Sequence, residues 1–315
     1  MLPSRFLPRH LAGAMLSCVV LAAPRTTPAQ MFAPPTAPVV VSTTWLAENL
    51  KDPNLVLLHV GDRAEYDAGH IPGARHVKLD DVSVSSHDRQ SGLMLEMPQP
   101  DSLRARLEAL GISDKSRVIV YYGNDWVSPA TRVIFTLDYA GLGQSAALLD
   151  GGMPAWKAEH RPITTEPAKA APGHLAALRV KPIVVDAAWV KSRLGDPNFH
   201  LIDARAAVFY EGVESGGSRK GHVAGARSLP FTEIADEKLR LRSADELRAL
   251  FARAGVSPGD TVVAYCHIGQ QATAVLFAAR SIGHPVLLYD GSFQDWSRRP
   301  ELPVEDPRAG KASAQ

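Results

Sequence analysis

Two α/β domains, each a mainly parallel sheet flanked by helices, are the fold this sequence predicts, and two observations lead there. The first is an internal repeat whose landmarks recur in one order. Asp62-Arg63 and then Gly69-His70-Ile71-Pro72-Gly73-Ala74-Arg75 return as Asp203-Ala204-Arg205 and then Gly221-His222-Val223-Ala224-Gly225-Ala226-Arg227. Further on, Val118-Ile119-Val120-Tyr121-Tyr122 returns as Thr261-Val262-Val263-Ala264-Tyr265-Cys266, and Asp150-Gly151-Gly152 with Trp156 returns as Asp290-Gly291-Ser292 with Trp296. The second observation is that short β-branched runs alternate with helix-like stretches, the pattern of buried parallel strands joined by crossover helices.

Along the chain, residues 1–29 read as a secretory signal: Arg5, Arg9 and His10 precede an apolar run over 11–23, and Thr27-Pro28-Ala29 supplies small residues before Gln30. Cleavage is expected after Ala29, which places the mature protein in the periplasm or outside the cell. The run is shorter than the roughly 20 residues a spanning helix needs, and no later stretch reaches that length, so no membrane span is expected. A lipid anchor on Cys18 is disfavoured because Leu16 stands one position late for that motif. The first domain covers 38–165, with strands at 55–60, 117–122 and 146–149 and helices at 44–50, 102–110 and 131–139. An Ala-, Pro- and Lys-rich linker follows at 166–180. The second domain covers 181–305, with strands at 199–202, 261–265 and 286–289 and helices at 187–194, 244–254 and 272–282. The repeat offset widens between Arg205 and Gly221, so the second copy carries an insertion within 208–220. The insertion has the Gly-rich, charged composition of a surface loop that reaches over a site.

Composition excludes several classes of function. The chain has 315 residues, 45% hydrophobic and 21% charged, and 34 Lys plus Arg against 33 Asp plus Glu leave a net charge of +1. Neither the basic footprint of a nucleic-acid binder nor a charge-driven partner is present. With Cys18 and Cys266 the only cysteines, a disulfide framework, a Cys-x-x-Cys redox pair and a cysteine-rich zinc site are excluded as well. Signal cleavage would leave one thiol. His70 and His222 invite a metal reading, but each belongs to the Gly-His signature of its own copy and no ligand cluster accompanies either, so both read as turn-forming residues and no metal is expected. Trp156 and Trp296 recur likewise and read as core.

Cys266 ends the run 261–265 and precedes His267-Ile268-Gly269-Gln270-Gln271, after which a helix begins. A thiol between a strand end and a helix N-terminus sits where inward N–H groups and the helix dipole favour a thiolate and an anion beside it. Gly269 allows the tight turn such a loop needs. Taken alone, the position fits either a nucleophile or a small buried hydrophobe.

Cys266-His267-Ile268-Gly269-Gln270-Gln271, the Gly-His signatures at Gly69 and Gly221, and the Asp-Gly elements with Trp156 and Trp296 together resemble the tandem rhodanese sulfurtransferases, over about residues 40–305. The resemblance implies two homologous rhodanese-like domains, of which the second is catalytic. Tyr122, followed by Gly123-Asn124-Asp125, stands at the cysteine position of the first, which marks that domain as the inactive partner that helps form the cleft. It also implies a ping-pong reaction without cofactors, in which Cys266 takes sulfane sulfur from thiosulfate or 3-mercaptopyruvate and yields it to cyanide, a thiol or a protein acceptor. With no second cysteine in the mature chain, no internal thiol could resolve such an intermediate. Arg205 matches the family arginine associated with the donor's anionic end; its other reading is a salt bridge to Asp203. The loop residues His267, Ile268, Gln270 and Gln271 fit neither the basic pattern of thiosulfate-preferring members nor the small neutral one of mercaptopyruvate-preferring members, and Arg219 and Lys220 are candidates for the missing charge or a solvated loop pair. A cysteine phosphatase needs Cys-x5-Arg, and Ala272 stands at that arginine position. A carrier that hands persulfide sulfur to a protein partner without turnover is the other alternative.

Overall fold

The computed structural model describes residues 38–309 apart from 87, 89–91, 125, 170 and 198. The expected signal segment with Cys18, and Asp125, lie outside the described residues. Each repeat forms a five-stranded, wholly parallel sheet. In the first, β1 (Val40–Val41), β2 (Leu55–Val60), β3 (Arg75–Val77), β4 (Arg117–Tyr122) and β5 (Ala146–Leu149) lie in the order β1-β5-β4-β2-β3. In the second, β6 (Val184–Val185), β7 (Phe199–Asp203), β9 (Arg227–Ser228), β10 (Thr261–Tyr265) and β11 (Val286–Tyr289) take the matching order β6-β11-β10-β7-β9, while β8 (His222–Val223) pairs separately with β12 (Val304–Glu305). The two-residue edge strands are too short to show a period, so pattern reading passes over them.

Helix starts follow from their caps. Ser42 and Asp186 accept hydrogen bonds from the backbone N–H of Trp45 and Trp189, at 3.1 and 2.8 Å, and Ser243 and Glu246 form a reciprocal capping box. Trp156 and Trp296 are fully buried, their indole N–H groups donating to Pro162 O and Pro303 O. His70 and His222 stack on Tyr66 and Tyr210 with ring centroids 3.7 Å apart, each with Nδ1 against the carbonyl of its stacking tyrosine. The stretch expected as a linker is pinned along the first domain: Gly173 N donates to Glu108 O, Leu175 is buried, and Lys181 N donates to Tyr139 O.

The homologous helices Ser128–Tyr139 and Gln271–Ser281 pack on each other and join the two cores. Tyr122, fully buried, donates from its hydroxyl to Leu239 O across this interface at 2.7 Å. The side chain at the cysteine position of the first copy is therefore an interdomain tie.

Sheet register corrects one pairing of the repeat. Asp62 matches Asp203 by local sequence, but β2 sets His59 beside Tyr121 as β7 sets Asp203 beside Tyr265. His59 is thus the counterpart of Asp203, and Asp62 instead stands at the N-terminus of helix Arg63–Ala68. The insertion also begins later than expected, because Val208 to Tyr210 belong to the matching helix Ala207–Tyr210 and the extra residues lie in 211–220.

His59 is 1% exposed, edge-on to Tyr66 and Tyr121, and neither ring nitrogen has a partner among the described residues. Burial, with His76 adding to it, lowers its pKa from 6.5 to about 4. An unfolded imidazole takes a proton near pH 6.5 and the buried one only near 4. Stability is therefore complete above pH 6.5 and falls by about 3 kcal/mol as pH drops from there toward 4. Urea midpoints at pH 7 and 4.5 should converge in His59→Gln relative to the parent protein; an unchanged pH dependence would refute this.

Candidate active site

Cys266 leaves the C-terminal end of β10 and is 0% exposed. Its loop is held from outside by its carbonyls. Cys266 O and His267 O accept from the N–H groups of Phe293 and Gln294, at 2.9 and 3.0 Å, in helix Ser292–Trp296. Gly269 O accepts from Arg132 Nη1 at 3.1 Å, and Gln270 O from the N–H and hydroxyl of Thr273. In a trans peptide N–H and C=O point oppositely, so the N–H groups of His267, Ile268, Gln270 and Gln271 turn away from these anchors. Those of His267, Ile268 and Gln270 make no hydrogen bond among the described residues. Such a hollow, next to the helix Gln271–Ser281, suits an anion.

Gly269 has φ +80°, and a Cβ there would lie 2.9 Å from Asp290 O and 3.1 Å from Arg132 Nη1, so no other residue fits without a shift. Ser292 takes the opposite course. At the equivalent Gly152 a Cβ would lie 2.6 Å from the Tyr122 ring, whereas beside the smaller Cys266 a side chain fits even at φ 52°. Ser292 Oγ accepts from Cys266 N at 3.2 Å and donates to Tyr289 O at 3.0 Å.

Arg132, from the first domain and 0% exposed, anchors the loop. Besides Gly269 O it reaches Asp290 Oδ1 at 2.9 Å and the carbonyl of Leu95. Asp290 Oδ2 accepts from Met97 N at 2.6 Å. Gln270 Nε2 adds a further cross-domain contact to Ser128 Oγ at 3.2 Å.

The structure gathers the expected site residues unevenly. Arg205 is 1% exposed and is held by Asp203 through both carboxylate oxygens, with Nη2 also donating to Gly221 O. Tyr265 hydroxyl donates to Asp203 Oδ2 at 2.7 Å and accepts from Val223 N at 3.0 Å. Of the two readings of Arg205, the geometry realises the ion pair, because a buried guanidinium needs its counter-charge. Its positive charge still reaches the loop: after burial, Arg205 is the next cause holding His267 below its ordinary pKa. His267 lies edge-on to Phe209 with centroids 4.5 Å apart, and Gly216 of the inserted loop approaches its ring. Ile268 lines a cavity over the loop, and Gln271 opens the helix with Oε1 buried and without a partner among the described residues. Arg219 donates from Nη1 to the carbonyls of Arg299 and Leu302, and Lys220 is exposed. Arg132, Asp290 and Ser292 were missed. Asp290 and Ser292 lie in the recurring Asp-Gly element, which was a usable signal; Arg132 carried none.

A cavity of about 370 Å³ opens over the loop. It is lined by 216–218 of the inserted loop, by His267 and Ile268 of the Cys266 loop, and by Phe293, Gln294, Ser297 and Arg298.

Fold and site define a two-domain sulfurtransferase-like α/β protein. The family model described as rhodanese-like domain matches twice, at residues 42–159 and 186–299. The chain belongs to that family. It is 30% identical over 304 residues to thiosulfate/3-mercaptopyruvate sulfurtransferase 1, mitochondrial, of Arabidopsis thaliana, covering 86% of this chain and 79% of the relative. It is 32% identical over 277 residues to the probable 3-mercaptopyruvate sulfurtransferase of Pseudomonas aeruginosa, covering 84% and 97%. Among solved structures, the 3-mercaptopyruvate sulfurtransferase SseA from Escherichia coli superposes with a TM-score of 0.71 at 28% identity, covering 81% of this chain and 99% of that one. These relatives support sulfurtransferase activity for this chain.

Proposed function

We propose that this protein moves sulfane sulfur from thiosulfate or 3-mercaptopyruvate to a thiophilic acceptor through a persulfide on Cys266. What carries the reading is the position of this thiol: at a strand end, heading a loop whose carbonyls are bound outward and whose N–H groups face the hollow. The Cys266 thiolate attacks the donor's outer sulfur. A Sγ–S bond forms, the donor's bond to that sulfur breaks, and sulfite leaves from thiosulfate, or the enolate of pyruvate, protonated by water, from 3-mercaptopyruvate. The loop N–H groups stabilise the persulfide anion. Cyanide then attacks the outer sulfur, leaves as thiocyanate, and returns the thiolate; a thiol acceptor leaves as its persulfide. Read with the signal segment at 1–29, this chemistry belongs to an exported protein.

Intact-mass measurement after exposure to each donor tests the proposal. One added sulfur atom, removed by cyanide with thiocyanate released over many turnovers, is expected. No increment with either donor would overturn the mechanism, and an increment that cyanide fails to discharge would favour the carrier alternative.

A further inference from the structure

We infer that the first domain holds a second ligand site, a cavity that takes a small amphipathic carboxylate with an apolar body and an anionic head. The inference does not rest on the sulfurtransferase reading.

A cavity of about 530 Å³ lies at the start of β4 and β5, the end of the sheet opposite Tyr122. That volume falls within the roughly 300–1,000 Å³ of ordinary small-molecule pockets. Its lining divides by exposure. Ile119 and Ala147, paired across β4 and β5, are buried in a core against which Val41 and Trp45 pack, and all four line the cavity. Lys115 and Arg117 are exposed, and no carboxylate lines the cavity with them. Neither cation has an ion pair or a side-chain hydrogen bond among the described residues; the Arg117 guanidinium lies over the Trp45 ring, 5.0 Å from its centroid. That contact holds the guanidinium beside the cavity and leaves its N–H donors unspent. The hydroxyls of Ser42 and Ser116 accept from Trp45 N and Ser113 N, and each keeps its own proton to donate.

Comparison with the second copy shows that the fold does not demand these features. Strand register sets Arg117, Ile119 and Ala147 against Thr261, Val263 and Leu287, so a larger side chain stands where Ala147 is. Ser116 matches Asp260, since each accepts from the N–H three residues before it, and Ser42 matches Asp186 as the cap of the equivalent helix. Lys115 then matches Gly259. The first copy thus has hydroxyls where the second has carboxylates, and cations where the second has neutral residues, all lining one cavity. An anionic head suits that set, and an apolar body suits Ile119, Ala147 and Val41.

Calorimetric titration of the full chain with octanoate, 1-octanol and octylammonium tests the inference. Octanoate should bind at a single site, and the neutral and cationic analogues about tenfold more weakly or worse. High salt should weaken octanoate and leave 1-octanol unchanged. In the double variant Lys115→Gln with Arg117→Gln, whose side chains are exposed and outside the cores, octanoate Kd should rise about tenfold, to that of 1-octanol. Ala147→Leu, which copies the second repeat, should bind none of the three. No octanoate binding, equal affinity for octanoate and 1-octanol, or an unchanged Kd in the double variant would overturn the inference. Octanoate bound as tightly by a folded Ala147→Leu protein would do the same; if that variant does not fold, the double variant decides. Binding seen only after removal of residues 30–37 would assign the cavity to that segment of the chain and also overturn it.

Discussion

Cys266→Ser should take up no sulfur from either donor, and its turnover should fall by about 10⁴-fold or more. The oxygen of serine has the right place but is a weak nucleophile toward sulfur and forms no persulfide. Among the described residues Cys266 is the free cysteine, so no neighbouring thiol substitutes for it. Stability separates this outcome from a merely structural role. The substitution is nearly isosteric, yet Cys266 is 0% exposed, so a hydroxyl there costs about 1–3 kcal/mol if it finds no partner. A purely space-filling cysteine would show that loss with activity retained. Sulfur loading measured by intact mass, steady-state kinetics and urea unfolding together decide between the two, and retained turnover in a folded Cys266→Ser protein would sink the nucleophile assignment.

Arg132→Met carries the largest expected cost in stability. It removes the guanidinium from a buried pair whose Asp290 side chain is 9% exposed, and it strips the carbonyls of Gly269 and Leu95 of their donor. An uncompensated buried carboxylate of this kind costs about 3–5 kcal/mol. Activity should fall further than stability explains, about 10²-fold, because Gly269 loses the anchor that turns its peptide and a misplaced catalytic loop loses alignment. The double variant Arg132→Met with Asp290→Leu should recover part of the stability, since the orphaned charge is gone, without recovering activity. Arg132→Lys keeps the charge but cannot span three acceptors in different directions, so it should be intermediate. Urea midpoints and kcat/KM for the set are the measurements; a single Met variant within about 1 kcal/mol of the parent protein would refute the bracing role.

Arg132 also shows why the site was only partly legible in the sequence. Cys266, Gly269 and the loop between them could be found because their chemistry is local: a strand, a tight turn and a helix follow one another within a few residues. Asp290 and Ser292 were half visible, recurring in a motif whose purpose the motif did not reveal. Arg132 was invisible, because its partners Gly269 and Asp290 are 137 and 158 residues away and only the packing of two homologous helices brings them together. Arg205 was found but its ion pair was left as one of two readings, since two residues of separation on an unknown backbone do not say whether a guanidinium folds back on Asp203 or reaches outward. The counterpart of Asp203 was misplaced for a related reason. Local similarity rewards Asp62, whereas equivalence in a sheet follows strand register, which depends on pairing with β4.

By itself the sequence determined the α/β class, the duplication and the strands that matter, because β-branched runs, caps and a repeated order of landmarks are local signals with local causes. It also determined that any chemistry at sulfur falls to Cys266 once the segment at 1–29 is set aside. Tertiary structure decided how the two copies divide the work. Tyr122 and Cys266 occupy equivalent strand ends, yet the tyrosine is spent holding the domains together while the cysteine heads a loop braced by the other domain's arginine. That division rests on contacts between residues far apart in the chain, whose energies exist only after both cores have formed.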